Sequence, residues 1–316
     1  MRARVSIQAA TVNHCDNKRV RRQSGVALLQ VLLISSVISL LAIRFTETAR
    51  DQILIASQFE DRILAQLAAY SVTNEVIFTQ IVDVIEPLNK GQFRNPDLNQ
   101  NKLKVNLWGG KVNWSESIAV TVQDLNGLAP QMYPNHIVWQ SILSKSGLDI
   151  SESQRILGEW ADIQDPDTRS WKFGEIEPAE MSRGTPYLNG YAQSEVLVSW
   201  MFESRPDLLA FVLDVSSLYS PMKTNFLHSS PELLNRLFEP EVADSIISAR
   251  SGDGRGPVGL QQLIPDKYSL DYIIDYRSPD QKITVRVVKG EAVWQRSVIV
   301  RLNPRLEKPF TVLKNG

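Results

Sequence analysis

Cysteine and histidine are scarce in this chain of 316 residues, which has one cysteine and three histidines. Cys15 lies near the N-terminus, and the histidines at positions 14, 136 and 228 are far apart. Disulfides therefore cannot brace the fold, and neither a cysteine-based metal site nor an H-E-x-x-H zinc motif is available. A bound divalent ion would have to be held by oxygen ligands.

Catalytic and phosphate-binding motifs are missing as well. The sequence has no G-x-S-x-G and no G-x-x-x-x-G-K-[ST]. The glycine-rich residues 251–259 contain no lysine, so they indicate an ordinary surface loop. Residues 1–25 carry a net charge of +5, and because the whole chain carries −1, the remainder carries −6. That sign disfavours a nucleic-acid partner, and we expect no enzyme activity.

One long apolar run is present. Residues 26–43 contain no charged side chain and would span roughly 27 Å as a helix, enough with residues 23–25 to cross a membrane. The run is preceded by four basic residues, Lys18, Arg19, Arg21 and Arg22. Only Arg44 follows it closely. The excess of positive charge predicts a single-pass membrane protein with its N-terminus in the cytoplasm and residues 45–316 across the membrane.

A conventional secretory signal is the simplest alternative for this segment. Such a signal requires a shorter apolar core and a cleavage site of small residues directly after it. Here the charged residues Arg44 and Glu47 follow at once. The apolar segment is therefore predicted to stay on the mature protein.

Gly25 followed by an apolar helix resembles the signals cut by prepilin peptidase in type IV pilins and pseudopilins. The resemblance implies cleavage between Gly25 and Val26, loss of residues 1–25, and methylation of the processed chain. These families usually carry a glutamate at the fifth mature position, where this chain has Gln30. A carboxylate in lipid is costly unless a neighbouring cation meets it, so a neutral residue suits a subunit with no neighbour beyond it. The K-type minor pseudopilin of type II secretion lacks this glutamate.

Residues 44–88 are predicted to continue the helix as a periplasmic stem that ends near Pro87. The packing face is predicted from apolar residues at three- and four-residue steps, which are Phe59, Ile63, Leu67, Tyr70, Ile77, Ile81 and Val84.

Strand patterns before and after a helical region predict an α+β fold, with a β head at 89–132 and 265–316 and an inserted helical domain at 133–264. Gly109-Gly110 predicts a hairpin between strands at 104–108 and 111–114, and a further strand is predicted at 118–122. An antiparallel meander is predicted at 268–276, 283–288 and 292–302. Helices are predicted at 136–146, 151–163, 193–202, 206–213, 231–237 and 240–250.

This order of elements resembles the K-type minor pseudopilin over nearly the whole mature chain. Local similarities lie at 124–128, 158–167 and 224–234. Residues 229–250 also resemble half of a helix-hairpin-helix unit, as in SAM-like domains. Its hairpin carries Glu239, Pro240 and Glu241, which cannot cradle a phosphate, so nucleic-acid binding is not expected.

The resemblance also implies calcium binding. Three aspartates follow a predicted helix and two glutamates lie close behind, at Asp162, Asp165, Asp167, Glu175 and Glu177. Dense oxygen ligands suit Ca²⁺, although the spacing is not that of an EF-hand. A solvated acidic loop is the alternative interpretation.

The function implied is that of a minor pseudopilin at the tip of the type II secretion pseudopilus, which initiates or caps its assembly. The implied partners are the I- and J-type minor pseudopilins, other pseudopilus subunits and prepilin peptidase. Secreted substrate and the outer-membrane secretin are further expected contacts of the tip. Two alternatives stay open: a tip minor pilin of a type IV pilus, and a membrane-anchored enzyme that uses the carboxylates of residues 162–177.

Overall fold

The computed structural model describes residues 20–85, 105–132, 136–164, 192, 194–220, 223–251, 264–265, 268 and 277–316. The chain forms two compact units, Met1–Glu60 and Asp61–Gly316. Helix α1 (Val20–Ile85) contributes residues to both units. The described elements are helices and strands, with an antiparallel five-stranded sheet, which is the α+β arrangement predicted from the sequence.

Every described residue of the first unit belongs to α1. The helix begins at Val20, six residues before the predicted start at Val26. Gly25 does not interrupt it, because one glycine costs a helix only about 1 kcal/mol and the apolar run beyond it has strong helix formers. The apolar side chains from Val26 onward are exposed within the unit.

Five strands form one antiparallel sheet in the second unit. Across the sheet, β1 (Val112–Ser115) is followed by β2 (Ile118–Asp124), β5 (Asp280–Lys289), β6 (Ala292–Leu302) and β7 (Phe310–Asn315). Strands β2 and β5 pair with Val120 opposite Val285, although the chain makes a long excursion between them. The helical region is therefore inserted into the sheet sequence, as predicted.

One face of the sheet packs on the second part of α1. The buried cluster joins Ala65, Ala69, Val72 and Val76 of the helix to Val122, Ile283, Val285 and Val300 of the strands. Ile77 and Ile81 are buried as predicted, but Phe59, Ile63 and Leu67 of the predicted packing face are exposed. Tyr70 is partly exposed and contacts Arg296 of β6, and the burial of Val84 lies outside what the structure describes. Small and β-branched residues contact the sheet because they let the helix approach a twisted surface closely, while larger apolar residues such as Leu67 lie outside.

The predicted Gly109-Gly110 hairpin is also wrong. Trp108 pairs with Gln123 of β2, and Val112 pairs with Val120 farther along the same strand. The glycines therefore interrupt a single edge strand. Gly109 has a φ of 74°, and the Asn106 side chain brackets Gly110 by accepting from its N–H and donating to its carbonyl. Asn106 supplies the bonds that would otherwise come from a partner strand.

Six further helices lie between β2 and β5 among the described residues, close to their predicted positions. They are α2 (His136–Lys145), α3 (Ile150–Gln164), α4 (Val196–Met201), α5 (Pro206–Val215), α6 (Pro231–Leu237) and α7 (Pro240–Ser251). Proline stands in the first turn of α5 and α6, where its missing N–H is not needed. Strand β3 (Ala129–Pro130) pairs in parallel with β4 (Ser216–Ser217) beside them.

Aromatic side chains fill the core of this helical lobe. Trp139 and Trp160 stack with centroids 4.7 Å apart, and Phe202 meets Trp160 edge-on at 6.2 Å. Tyr268 was predicted to begin a strand, but it packs against Phe226 and its hydroxyl donates to the Leu237 carbonyl at 3.0 Å. Burial raises the pKa of this hydroxyl above its ordinary value. The rest of that predicted strand, residues 269–276, lies outside the described residues.

Candidate functional site

The predicted processing site lies inside α1. Gly25 is in its helical backbone, and Val26 and Gln30 are exposed residues of the same helix. Among the described residues, this helix is the one long and apolar enough to cross a membrane, through its stretch Val26–Val82. Residues 26–43 hold no charge, so the amide of Gln30 is the largest polar group in that span.

The second part of α1 exposes large apolar residues on the side away from the sheet. This outward stripe consists of Ile63, Leu64, Leu67 and Phe78, which are 39% to 65% exposed. At 100° per residue, Ile63 lies opposite the buried Val72. Sequence reasoning missed Leu64 and Phe78 and assigned Ile63 and Leu67 to the core. The alanines at 65 and 69 are the signal that could have located the true contact face.

Two cation–π contacts attach the margin of the sheet to α1. The guanidinium of Arg62 lies 5.6 Å from the centroid of the Trp294 ring, and that of Arg296 lies 3.9 Å from the Tyr70 ring. Both cations lie between the helix and β6. They cover the polar margin of an otherwise apolar contact, and each contributes on the order of 1 kcal/mol.

Only one of the five predicted calcium ligands lies within the described residues. Asp162 is buried in the last turn of α3, with 4% of its surface exposed. The other four, Asp165, Asp167, Glu175 and Glu177, lie outside the described residues. Within the described part of the chain, no three acidic, histidine or cysteine side chains form a cluster suited to a metal ion. A buried carboxylate at the negative end of a helix favours a nearby positive charge.

The turn between α6 and α7 carries the hairpin that resembles a helix-hairpin-helix unit. Lys145 donates to the Phe238 carbonyl at 2.6 Å and lies 3.1 Å from the Glu239 carboxylate. Glu239 is largely exposed, so the turn presents acceptors and negative charge. This surface is chemically opposite to a phosphate-binding hairpin. Of the glycine-rich segment 251–259, only Ser251 lies within the described residues.

Comparisons with known proteins gave one kind of match. No family model matches the sequence, and no curated protein matches it. A chain in the crystal structure of the GspK-GspI-GspJ complex from the enterotoxigenic Escherichia coli type 2 secretion system is similar in structure, with a TM-score of 0.48 and 14% sequence identity. The similarity covers 84% of this chain and 99% of that chain.

Proposed function

We propose that this chain is a K-type minor pseudopilin, anchored in the inner membrane and located at the tip of the type II secretion pseudopilus. The observation that carries the proposal is the arrangement of α1. An uncharged span begins directly after Gly25 and has Gln30 at its fifth position, and the same helix continues into a stem that packs on an antiparallel sheet.

Assembly would use the outward stripe of α1. Stem helices of neighbouring subunits would cover Ile63, Leu67 and Phe78, whose exposed apolar surface gains free energy on leaving water. The partners are then the I- and J-type minor pseudopilins and the pseudopilus subunits below them. Because Gln30 has no charge to neutralise, no further subunit is needed beyond it.

Prepilin peptidase would release Val26 at the cytoplasmic face of the membrane. The helical lobe would then be carried on the tip, where secreted substrate and the outer-membrane secretin are the surfaces it would meet. The proposed role is in protein transport, and it requires no catalytic step from any residue of the chain.

A secretion assay tests this function. In a strain without the gene, type II substrates are expected to accumulate in the periplasm and to disappear from the medium, because assembly initiation is lost. Expression of the intact chain should restore export. Normal secretion together with loss of surface pili or of DNA uptake would overturn the proposal in favour of a type IV minor pilin.

We also propose that Asp162, Asp165, Asp167, Glu175 and Glu177 hold one Ca²⁺ in the lobe. The donor set is all oxygen, as calcium prefers, and Asp162 is a buried carboxylate. Calcium at about 100 times its Kd should raise the Tm of the detergent-solubilised chain by about 5 to 10 °C, since binding stabilises the native state alone. Asp165→Ala should remove most of the rise, and Asp244→Ala, an exposed control on α7, should keep it. A Tm independent of calcium in the unaltered chain would contradict the site.

A further inference from the structure

The carboxylate of Asp124 lies where the chain leaves the sheet and where it returns. Asp124 ends β2 and is fully buried, directly opposite Gln281 near the start of β5. The chain passes from Asp124 into the helical lobe through a short 3-10 turn, Leu125–Gly127, and comes back through Ser278. Both connections between the lobe and the β head thus converge on one side chain.

Three separate segments donate hydrogen bonds to this carboxylate. The N–H of Asn126 in the outgoing turn donates to Oδ1 at 2.9 Å, and the N–H of Ser278 in the returning segment donates to Oδ2 at 3.1 Å. From the lobe, Nδ1 of His228 donates to Oδ2 at 2.5 Å. Hydrogen bonds in a buried site are stronger than the same bonds in water, so Asp124 joins the outgoing turn, the returning segment and the lobe.

The backbones of the two segments also fit closely. A second 3-10 turn, Phe226–His228, lies against Leu125–Gly127, and the Asn225 N–H donates to the Asn126 carbonyl at 2.7 Å. A Cβ on Gly127 would lie 2.1 Å from the His228 carbonyl oxygen, so only glycine permits this approach. Gln123 supports the contact, because its side-chain amide donates to the same His228 carbonyl at 2.8 Å.

Two further contacts between the lobe and the sheet region, among the described residues, are more exposed than Asp124. Lys314 and Glu195 form an ion pair at 2.9 Å with both side chains half exposed, and exposed pairs contribute little. The Arg250 guanidinium lies 4.5 Å from the Trp108 ring centroid, and burial lowers its pKa to about 10, against the opposing effect of Glu232. A small apolar cluster around Leu128 and Ile299 completes the contact.

We propose that Asp124 is a lock that fixes the orientation of the helical lobe on the β head, with His228 as its partner on the lobe. Without the lock, each part keeps its own core, but the lobe moves about the connections at Gly127 and Ser278. The separate clusters support this independence: the lobe core is built around Trp139 and Trp160, and the head core around α1 and the sheet. The inference does not depend on the proposed role in secretion.

Double electron–electron resonance on the full chain in detergent micelles tests the lock. Cys15→Ser removes the native thiol, and spin labels at Ser151→Cys on α3 and Arg286→Cys on β5 report the distance between lobe and head from exposed positions. The parent chain should give one narrow distance distribution. Asp124→Asn should broaden it about twofold or more, because a local opening equilibrium then becomes populated.

Asp280→Asn is the matched control. Asp280 is also a buried carboxylate of the same sheet, but it accepts two bonds from Arg301 of β6 at 2.7 and 2.8 Å, so its bonds stay within the sheet in the described part of the chain. Its variant should keep the narrow distribution. If Asp124→Asn does not fold, His228→Ala removes only the donor on the lobe and should broaden the distribution in its place. A narrow distribution in the folded Asp124→Asn or His228→Ala variant, or equal broadening in Asp280→Asn, would overturn the lock.

Discussion

Val76→Asp is expected to destroy the packing of the stem on the sheet. Val76 is fully buried in the cluster that joins α1 to Val285 and Val300. An unpaired carboxylate placed there loses its hydration without gaining a partner, at a cost on the order of 4 kcal/mol or more. Because a folded domain of this kind is stable by only about 5 to 15 kcal/mol, we expect a broad, low-temperature unfolding transition of the solubilised chain.

Phe78→Asp is the control on the same helix. Phe78 is 65% exposed on the outward stripe, so a carboxylate there stays in water and the unfolding temperature should change by less than about 2 °C. In cells, however, the same variant should block secretion, because neighbouring stem helices would have to bury the charge. Equal melting temperatures for the two variants would contradict the assigned packing face.

Local patterns were sufficient to predict most of the helices and strands. The helix predicted at 231–237 and the strand predicted at 292–302 have those bounds in the structure, because proline at a first turn and β-branched alternation are signals within a few residues. Strand β7 was not predicted, since its six residues at the end of the chain include only three large apolar side chains. Short edge strands depend on the neighbour they pair with, which local sequence does not reveal.

The packing face of α1 was predicted only in part. Apolar residues occur nearly all around this helix, so a three- and four-residue period alone fits more than one face. The shape of the sheet decides between them, and it selects Ala65 and Ala69 over Ile63 and Leu67. The predicted hairpin at Gly109-Gly110 was wrong for a similar reason, because the pairing of Trp108 with Gln123 depends on a strand that follows later.

The candidate sites also differ in how far the sequence alone indicates them. Gly25 and Gln30 are proposed from the sequence alone, because a cleavage signal and a membrane span are local, linear features. The bond between Asp124 and His228 joins residues 104 positions apart, and no spacing in the sequence indicates it. Residues 124–128 were noted as a local similarity, but the contact of this turn with the lobe follows from the tertiary fold alone.

A second large effect is expected from a substitution at the proposed cleavage site, Gly25. Prepilin-type signals are cut after the glycine, so Gly25→Glu should leave the chain at its full length, with loss of secretion. A substitution at Ser24→Ala, one residue away, should leave processing intact. The two variants separate a specific cleavage from a general effect on membrane insertion.

The N-terminal residue of the chain isolated from membranes therefore decides whether the chain is processed as a pseudopilin. Cleavage after Gly25 gives Val26 as the first residue, with residues 26–43 still attached. A chain that begins at Met1, or one cut beyond residue 43, would contradict it.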